Sequence, residues 1–205
     1  LTATQSYNGT SWSTGGALST GRSRLAGAGT STSALAIGGT STGSNFLSST
    51  EKYNGTSWSA GGNLVTGRYY LAGAGTATAA LSFGGWTGSL SSATESYNGT
   101  SWTSGGNMTT GRNAPAGCGS NTAALAWGGF NDSDSSSIGW PVSSAETYNG
   151  TSWALLRGST LAVNFWWGAA ACGTAASPLI IGGLDGPLAP AGSGNFPSNQ
   201  YNSAY

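Results

Sequence analysis

The sequence contains no histidine, and only 6% of its 205 residues are charged, with six Lys or Arg balanced by six Asp or Glu. The absence of histidine excludes imidazole zinc sites, Ser-His-Asp and Cys-His chemistry, and histidine pH switches. Zero net charge removes the attraction on which nucleic-acid binding depends. No apolar run approaches the roughly 18 residues that span a bilayer. We therefore expect no nucleic-acid partner, no membrane insertion and no cofactor.

The residues that are abundant form a repeat. The hexapeptide YNGTSW begins at Tyr7, Tyr53, Tyr97 and Tyr148, and a partial copy, YNS, begins at Tyr201. Between the copies, an apolar stretch ends in Gly-Gly, 26, 26, 26 and 29 residues after the motif tryptophan. The distance from Gly-Gly to the next motif tyrosine varies more, at 15, 13, 20 and 19 residues. A period of this length indicates stacked supersecondary units, with a fixed scaffold and a variable loop.

Each repeat predicts four short strands, which we label a, b, c and d. In the third repeat they cover residues 113–120, 123–127, 144–148 and 151–154. Between c and d lies Asn-Gly, a strong signal for a two-residue type I′ hairpin in which both central residues have positive φ. Four antiparallel strands per repeat define a propeller blade. We expect the motif tryptophans to lie in the core, at Trp12, Trp58, Trp102 and Trp153.

Gly-Gly after an apolar strand, then Tyr and Trp at fixed spacing, then Gly-Arg, resembles the kelch repeat. The Gly-Arg pairs are at 21–22, 67–68 and 111–112, whereas the fourth repeat has Leu-Leu-Arg-Gly at 155–158. The Gly, Ser, Thr and Asn-rich composition is also similar to kelch-like repeats of bacterial and phage-particle proteins. The resemblance implies an all-β fold, a β-propeller, with the ligand surface on the face that carries the b–c loops.

We predict one domain over residues 1–205, with repeats near 1–21, 22–66, 67–110, 111–156 and 157–205. The first and last repeats together form one blade, so that four blades of four antiparallel strands close by pairing of N- and C-terminal strands. Closure removes exposed sheet edges. The a strands consist almost entirely of small residues, as a narrow axis requires. One extra C-terminal strand, 195–204, is left over. It could be an ordered tail, replace the N-terminal c strand, add to a blade, or pair with a neighbouring subunit.

The b–c loops vary in length on a constant frame, and such loops commonly carry binding residues. They contain aromatic side chains among small polar residues, and acids in the third loop, at Phe46, Trp86, Phe130, Trp140, Asp132 and Asp134. Aromatic faces beside amides and carboxylates suit carbohydrate. The alternative is that these rings fold back and fill their own loops. Residues 131–135 lack the Gly and Glu of an EF-hand loop, so we expect no metal site.

Arginine recurs ten residues after a motif tryptophan, at Arg22, Arg68 and Arg112. Three such guanidinium groups could bind a carboxylate or sulfate ligand. However, Glu51, Glu95 and Glu146 recur in register two residues before the motif tyrosine. Three Arg–Glu bridges are the favoured interpretation. With half of the acids assigned to such pairs, few carboxylates remain for catalysis, and we expect that the protein is not an enzyme.

Two modifications stay open. Cys118 and Cys172 occupy the same register position on neighbouring a strands, where they form either a disulfide or two buried thiols. The Asn-Gly-Thr turns are also N-glycosylation acceptors, at Asn8, Asn54, Asn98 and Asn149.

The scarcity of charge and the abundance of hydroxyl and amide side chains favour an extracellular or virus-particle location. We predict a non-catalytic structural or adhesive propeller whose partner is itself or another structural protein. The alternative is a lectin-like module that binds cell-surface glycans through the aromatic b–c loops.

Overall fold

The computed structural model describes residues 1–131, 142, 144–156 and 170–181. The regular secondary structure within these residues consists only of β-strands, so the all-β prediction is confirmed. In chain order they are β1 (Gln5–Tyr7), β2 (Trp12–Thr14), β3 (Ala26–Thr30), β4 (Ser33–Ile37), β5 (Thr50–Tyr53), β6 (Trp58–Ala60), β7 (Ala72–Thr76), β8 (Ala79–Phe83), β9 (Thr94–Tyr97), β10 (Trp102–Ser104), β11 (Ala116–Gly119), β12 (Ala124–Trp127), β13 (Ala145–Tyr148), β14 (Trp153–Leu155), β15 (Ala170–Thr174) and β16 (Ser177–Ile181).

The strands form three four-stranded antiparallel sheets, which we call blade 1 (β3–β6), blade 2 (β7–β10) and blade 3 (β11–β14). Each has the predicted order a-b-c-d. Two smaller sheets are the N-terminal hairpin β1–β2 and the C-terminal hairpin β15–β16, which correspond to a c–d pair and an a–b pair. Among the described strands these two half-blades remain separate sheets. The predicted pairing that would close the ring is thus not among the pairings that the structure describes.

The a strands of successive blades lie side by side, with β3 against β7, β7 against β11 and β11 against β15. Small residues permit this approach. A Cβ added to Gly73 would lie 2.7 Å from the carbonyl oxygen of Gly27, and one added to Gly117 would overlap the ring of Phe83. The glycine and alanine content of the a strands therefore serves close packing of strand on strand.

The core lies between blades. One buried cluster joins Leu35 and Ile37 of blade 1 to Leu71, Tyr97 and Trp102 of blade 2. A second joins blade 2 to blade 3, and a third packs blade 3 against Ala171 of β15 and Ala175 of the turn between β15 and β16. Each blade alone is too thin to bury its apolar residues, so stacking supplies the hydrophobic stabilisation.

The motif tryptophan of each blade donates its indole N–H to a threonine hydroxyl of the preceding unit. The bonds are Trp58 Nε1 to Thr4 Oγ1 at 2.9 Å, Trp102 Nε1 to Thr50 Oγ1 at 3.0 Å, and Trp153 Nε1 to Thr94 Oγ1 at 2.8 Å. Trp102 and Trp153 are buried, as predicted, and Trp58 is half-buried. Trp12 is 68% exposed, because no preceding unit covers it among the described residues. The core prediction is wrong for this one tryptophan.

A second contact repeats at the same interfaces. The Gly-Gly pair that follows each of the d strands β2, β6 and β10 lies under the c–d turn of the next blade. A Cβ added to Gly62 would overlap the carbonyl oxygen of Thr100, and one added to Gly106 would overlap that of Thr151. After β14 the sequence at this position is Leu156-Arg157, and Ala145 replaces the threonine that accepts the indole N–H. The sequence of blade 3 therefore lacks both the threonine acceptor and the glycine pair that the other units present to the next blade.

The c–d turns differ from the expected type I′ hairpin. Tyr7 pairs with Trp12, so four residues lie in the turn, and only Gly9 among them has positive φ, at +98°. The side-chain oxygen of Asn8 accepts the backbone N–H groups of Thr10 and Ser11, each at 2.9 Å. The same bonds recur at Asn54, Asn98 and Asn149. The asparagine is thus required for its acceptor oxygen and not for positive φ.

Candidate functional site

The three recurrent arginines form buried ion pairs within their own blades. Nη2 of Arg22, Arg68 and Arg112 lies 2.8, 2.7 and 2.7 Å from the carboxylates of Glu51, Glu95 and Glu146. The bridge interpretation is confirmed. The alternative of a ligand-binding arginine ring is wrong for these residues, because their side chains are at most 1% exposed and point into the blade.

Other donors of these guanidinium groups bind backbone carbonyl groups and serine hydroxyl groups. Arg68 Nη1 donates to Gly84 at 3.2 Å and to Ala93 at 3.1 Å. Its partner Glu95 also accepts the backbone N–H groups of Val65 and Thr66, at 2.6 and 3.2 Å. The pair therefore joins the b strand end, the c strand and the d–a crossover of two units. Its role is structural.

Burial and charge act in opposite directions on these pairs. Burial lowers the pKa of Arg68 and Arg112, and the neighbouring glutamate charge opposes that shift. Burial alone would raise the pKa of Glu51, but N–H groups of Ser19 and Thr20 and the charge of Arg22 hold it below its ordinary value of 4.5. Arginine stays protonated in proteins, so the pairs are ionic at neutral pH.

Two predicted loop residues, Phe46 and Trp86, converge on Tyr69. The ring of Phe46 stacks on that of Tyr69 at 5.4 Å between centroids and 19° between planes. Trp86 pairs with Tyr69 through two backbone hydrogen bonds, of 2.8 and 3.2 Å. Phe46 is 40% exposed and Trp86 is half-buried. The loop face, which carries the b–c and d–a loops, thus has an aromatic surface where blades 1 and 2 meet.

Arg24 and Tyr70, which the sequence analysis did not single out, complete this surface. The guanidinium carbon of Arg24 lies 5.3 Å from the ring centroid of Tyr69 and 4.8 Å from that of Tyr70. The two tyrosine rings meet edge to face at 5.3 Å. We call Arg24, Phe46, Tyr69 and Tyr70 the Arg24 cluster. A sequence signal for Arg24 exists, since it is one of few charged residues and has no acidic counterpart in register.

Phe130 is only 4% exposed, so the prediction that it lies on the loop surface is wrong. Its backbone pairs with Asn113 in the same way as Trp86 pairs with Tyr69. The ring is buried, as the alternative of rings that fold back predicted for the loop aromatics. Trp140, Asp132 and Asp134 lie outside the described residues, as does the extra C-terminal strand at 195–204.

The two cysteines are free thiols on the adjacent strands β11 and β15. Cys118 is buried and Cys172 is exposed, so only one matches the expectation of two buried thiols. Burial raises the pKa of Cys118, and the neighbouring Cys172 raises it further. A thiol with a raised pKa is a poor nucleophile at neutral pH, and Cys118 packs as a small apolar residue.

The four Asn-Gly-Thr turns are exposed at their asparagines, at Asn8, Asn54, Asn98 and Asn149. Each asparagine oxygen accepts the hydrogen bonds of the turn described above. Glycosylation at these positions stays a prediction. In the described part of the chain, no group of three His, Cys, Asp or Glu side chains could hold a metal ion. The same residues include no helix long and apolar enough to cross a membrane.

Comparison with protein-family models and with curated proteins finds no match for the chain. The kelch resemblance therefore stays a prediction that depends on the repeated motifs. The structure itself shows an all-β architecture with four-stranded antiparallel sheets.

Proposed function

We propose that the chain is a non-catalytic structural and adhesive module of an extracellular surface or virus particle. Its partner is a second copy or another structural protein. The observation that carries this proposal is the way in which charge is used. The three Arg–Glu pairs are buried inside blades, and the exposed turns consist of hydroxyl and amide groups and glycine. The ion pairs thus stabilise the blades from within, and the exposed c–d turns present uncharged polar groups to a partner.

Within this proposal the fold is a single kelch-like β-propeller over residues 1–205. Four blades close by pairing of the N- and C-terminal strands, and one extra C-terminal strand remains. The two half-blades support closure, because β15–β16 and β1–β2 together supply one set of strands a, b, c and d. In the register of blade 1, where Leu35 lies opposite Lys52, closure would place Leu179 opposite Ser6.

This register gives a direct test of closure. Cysteines at Ser6 and Leu179, with Cys118 and Cys172 replaced by alanine, should form a disulfide on oxidation if the strands pair, because directly opposite residues satisfy disulfide geometry. A linked monomer supports ring closure. Linked oligomers show that the half-blades pair between copies, and no linkage contradicts both arrangements. The single Ser6→Cys variant controls for random collision.

The structural role is tested by the state of the protein in its native source. We expect ordered assemblies or a stable complex with a structural partner, seen by direct imaging and by sedimentation over a range of concentrations. A strictly monomeric protein with no partner in its source would count against the proposal.

A second function, a lectin-like module, is favoured by the convergence of Phe46 and Trp86 on Tyr69. An exposed aromatic face on a rigid loop surface covers the C–H groups of a sugar ring. A glycan array should show binding that Phe46→Ala and Trp86→Ala reduce. Val65→Ala, at an exposed residue outside the cluster, serves as the matched control.

A further inference from the structure

Arg24, like Lys52, lies outside the ion pairs that engage six of the eight described charged side chains. Among the described residues, the arginines at 22, 68 and 112 are engaged in the three buried ion pairs, whereas Arg24 is exposed and takes part in none of them. Its guanidinium group is nevertheless positioned. It lies over Tyr69 and Tyr70, and its Nη1 donates a hydrogen bond to the carbonyl oxygen of Gly43 at 3.2 Å.

The fold does not require an arginine at this position. Arg24, Tyr70 and Ala114 occupy equivalent places before their a strands, and all three have positive φ, at +57°, +55° and +52°. Tyr70 donates its backbone N–H to the carbonyl oxygen of Arg24 at 2.9 Å, and Ala114 donates to that of Tyr70 at 2.8 Å. Ala114 makes this connection with a methyl side chain. The crossover therefore does not need the long side chains of Arg24 and Tyr70, which form part of the surface of the loop face.

The chemistry of the Arg24 cluster specifies a ligand class. A guanidinium group has five N–H donors in a planar fork, and among the described residues Arg24 uses one of them, on Gly43, so the others can bind a carboxylate. The partly exposed ring of Phe46, which stacks on the same Tyr69 that Arg24 contacts, offers an apolar face to C–H groups. No acidic side chain joins the described cluster to compete for the cation. The cluster thus combines one anion-binding group with one sugar-stacking surface.

We propose that the Arg24 cluster is a binding site for a carbohydrate that carries a carboxylate, such as a uronic or sialic acid. Arg24 binds the carboxylate, Phe46 stacks on the sugar ring, and Tyr69 and Tyr70 hold the guanidinium group in place. The proposal depends on the lectin-like function above and adds to it the charge of the ligand and the residue that recognises it.

The test compares each acidic saccharide with its own methyl ester, which keeps the sugar and removes the charge. Oligogalacturonate and sialyllactose are suitable probes, with binding measured by calorimetry or ligand-observed NMR. We expect the acid to bind about tenfold more tightly than the ester, and added salt to reduce that difference. Arg24→Gln should abolish the preference, while Lys52→Gln, which removes a positive charge on β5, should leave it unchanged.

The outcomes of this test distinguish failure of the carboxylate site from failure of the lectin-like function on which it depends. If acid and ester bind equally well to the native protein, or if Arg24→Gln keeps the preference, the carboxylate site is overturned while lectin function stands. If neither form of either probe binds, the carboxylate site is overturned, and the glycan array decides whether lectin function stands. Arg24→Lys keeps the charge without the planar fork and should retain only part of the preference. Circular dichroism of each variant establishes that loss of binding is not loss of fold.

Discussion

At the scale of single residues, the three indole–hydroxyl bonds between blades should differ in how much stability is lost when each is removed. The hydroxyl groups of Thr50 and Thr94 are bonded in buried surroundings, whereas the Thr4 bond is only partly buried. Replacing threonine by valine keeps the volume and leaves the indole N–H without an acceptor. An unsatisfied buried donor costs about 1–3 kcal/mol, and a hydrated one costs less.

We therefore expect Thr50→Val and Thr94→Val each to reduce the free energy of unfolding by about 1–3 kcal/mol, and Thr4→Val by less than about 1 kcal/mol. Urea titration followed by tryptophan fluorescence measures the difference. Thr103→Val, at an exposed residue of β10, is the control. Equal losses at all three positions would show that the hydrogen bond is not the source of the effect.

A second residue-scale prediction concerns acid. The pKa of Glu51 in the folded protein lies below its ordinary value of 4.5, because the bonds from Ser19, Thr20 and Arg22 outweigh its burial. A lowered folded pKa contributes stability that is fully present above the unfolded pKa and is lost as the pH falls through the folded pKa. The free energy of unfolding should thus decline below about pH 4.5.

The measurement is denaturant unfolding at a series of pH values, for the native protein and for Glu51→Gln. The variant should be less stable at neutral pH, since Arg22 loses its partner and buried charge is left uncompensated, and its stability should depend less on acid. An unchanged acid profile in the variant would assign the acid loss to other groups.

At the scale of elements, the glycine pairs after the d strands determine how closely blades stack. The φ angle of Gly62 does not lie in the left-handed region, so the requirement for glycine at this position is steric. A Cβ there would overlap the carbonyl oxygen of Thr100 in the next blade, and a backbone atom cannot move aside cheaply. By contrast, a Cβ on Gly111 would make only ordinary contacts, the nearest at 3.4 Å.

Gly62→Ala should consequently destabilise the protein by about 1–3 kcal/mol or more, the usual cost of overpacking a filled interface. Gly111→Ala should change the stability by less than about 1 kcal/mol and could raise it, by reducing the entropy of the unfolded chain. Thermal unfolding of the two variants side by side gives the comparison. Similar melting temperatures would mean that the blades can separate without cost.

The sequence predicts these elements well where it repeats in register. Equal spacing fixed the strand order a-b-c-d and the pairing of Arg68 with Glu95, because both depend only on distance along a repeat. The Arg24 cluster was not predictable in this way. Phe46 and Arg24 come from blade 1 and Tyr69 from blade 2, and their meeting depends on a crossover in which Tyr70, a residue without glycine's freedom, has positive φ.

The same limit applies to Trp12 and Phe130. Trp12 and Trp102 occupy the same position in their repeats, yet only Trp102 is buried. Burial of this tryptophan depends on a neighbouring blade, and the position of a residue within its repeat does not predict which neighbour it has. Phe130 follows Gly-Gly as Trp86 does, but it is buried.

At the scale of the whole molecule, protection should follow the arrangement of half-blades and full blades. Blade 2 has a blade on each side, whereas the hairpins β1–β2 and β15–β16 are two-stranded and carry many exposed residues. Local opening is easiest where few apolar contacts resist it. Amide hydrogen exchange should therefore be slowest in β8 and β9, the central strands of blade 2, and fastest in the two hairpins. Uniform protection across all strands would contradict this picture and would favour a ring closed as firmly at its ends as elsewhere.

The indole–hydroxyl bond and the glycine pair also give the stack a polarity. Each blade offers a tyrosine and a tryptophan on one side and receives those of its neighbour on the other, so blades add in one orientation only. The first hairpin still offers Tyr7 and Trp12, whereas blade 3 has Ala145, Leu156 and Arg157 where a receiving side would need threonine and two glycines. If the ring closes, the hairpin β1–β2 would therefore pack on blade 3 without the indole–hydroxyl bond of the other interfaces, and that seam would be the weakest contact between blades.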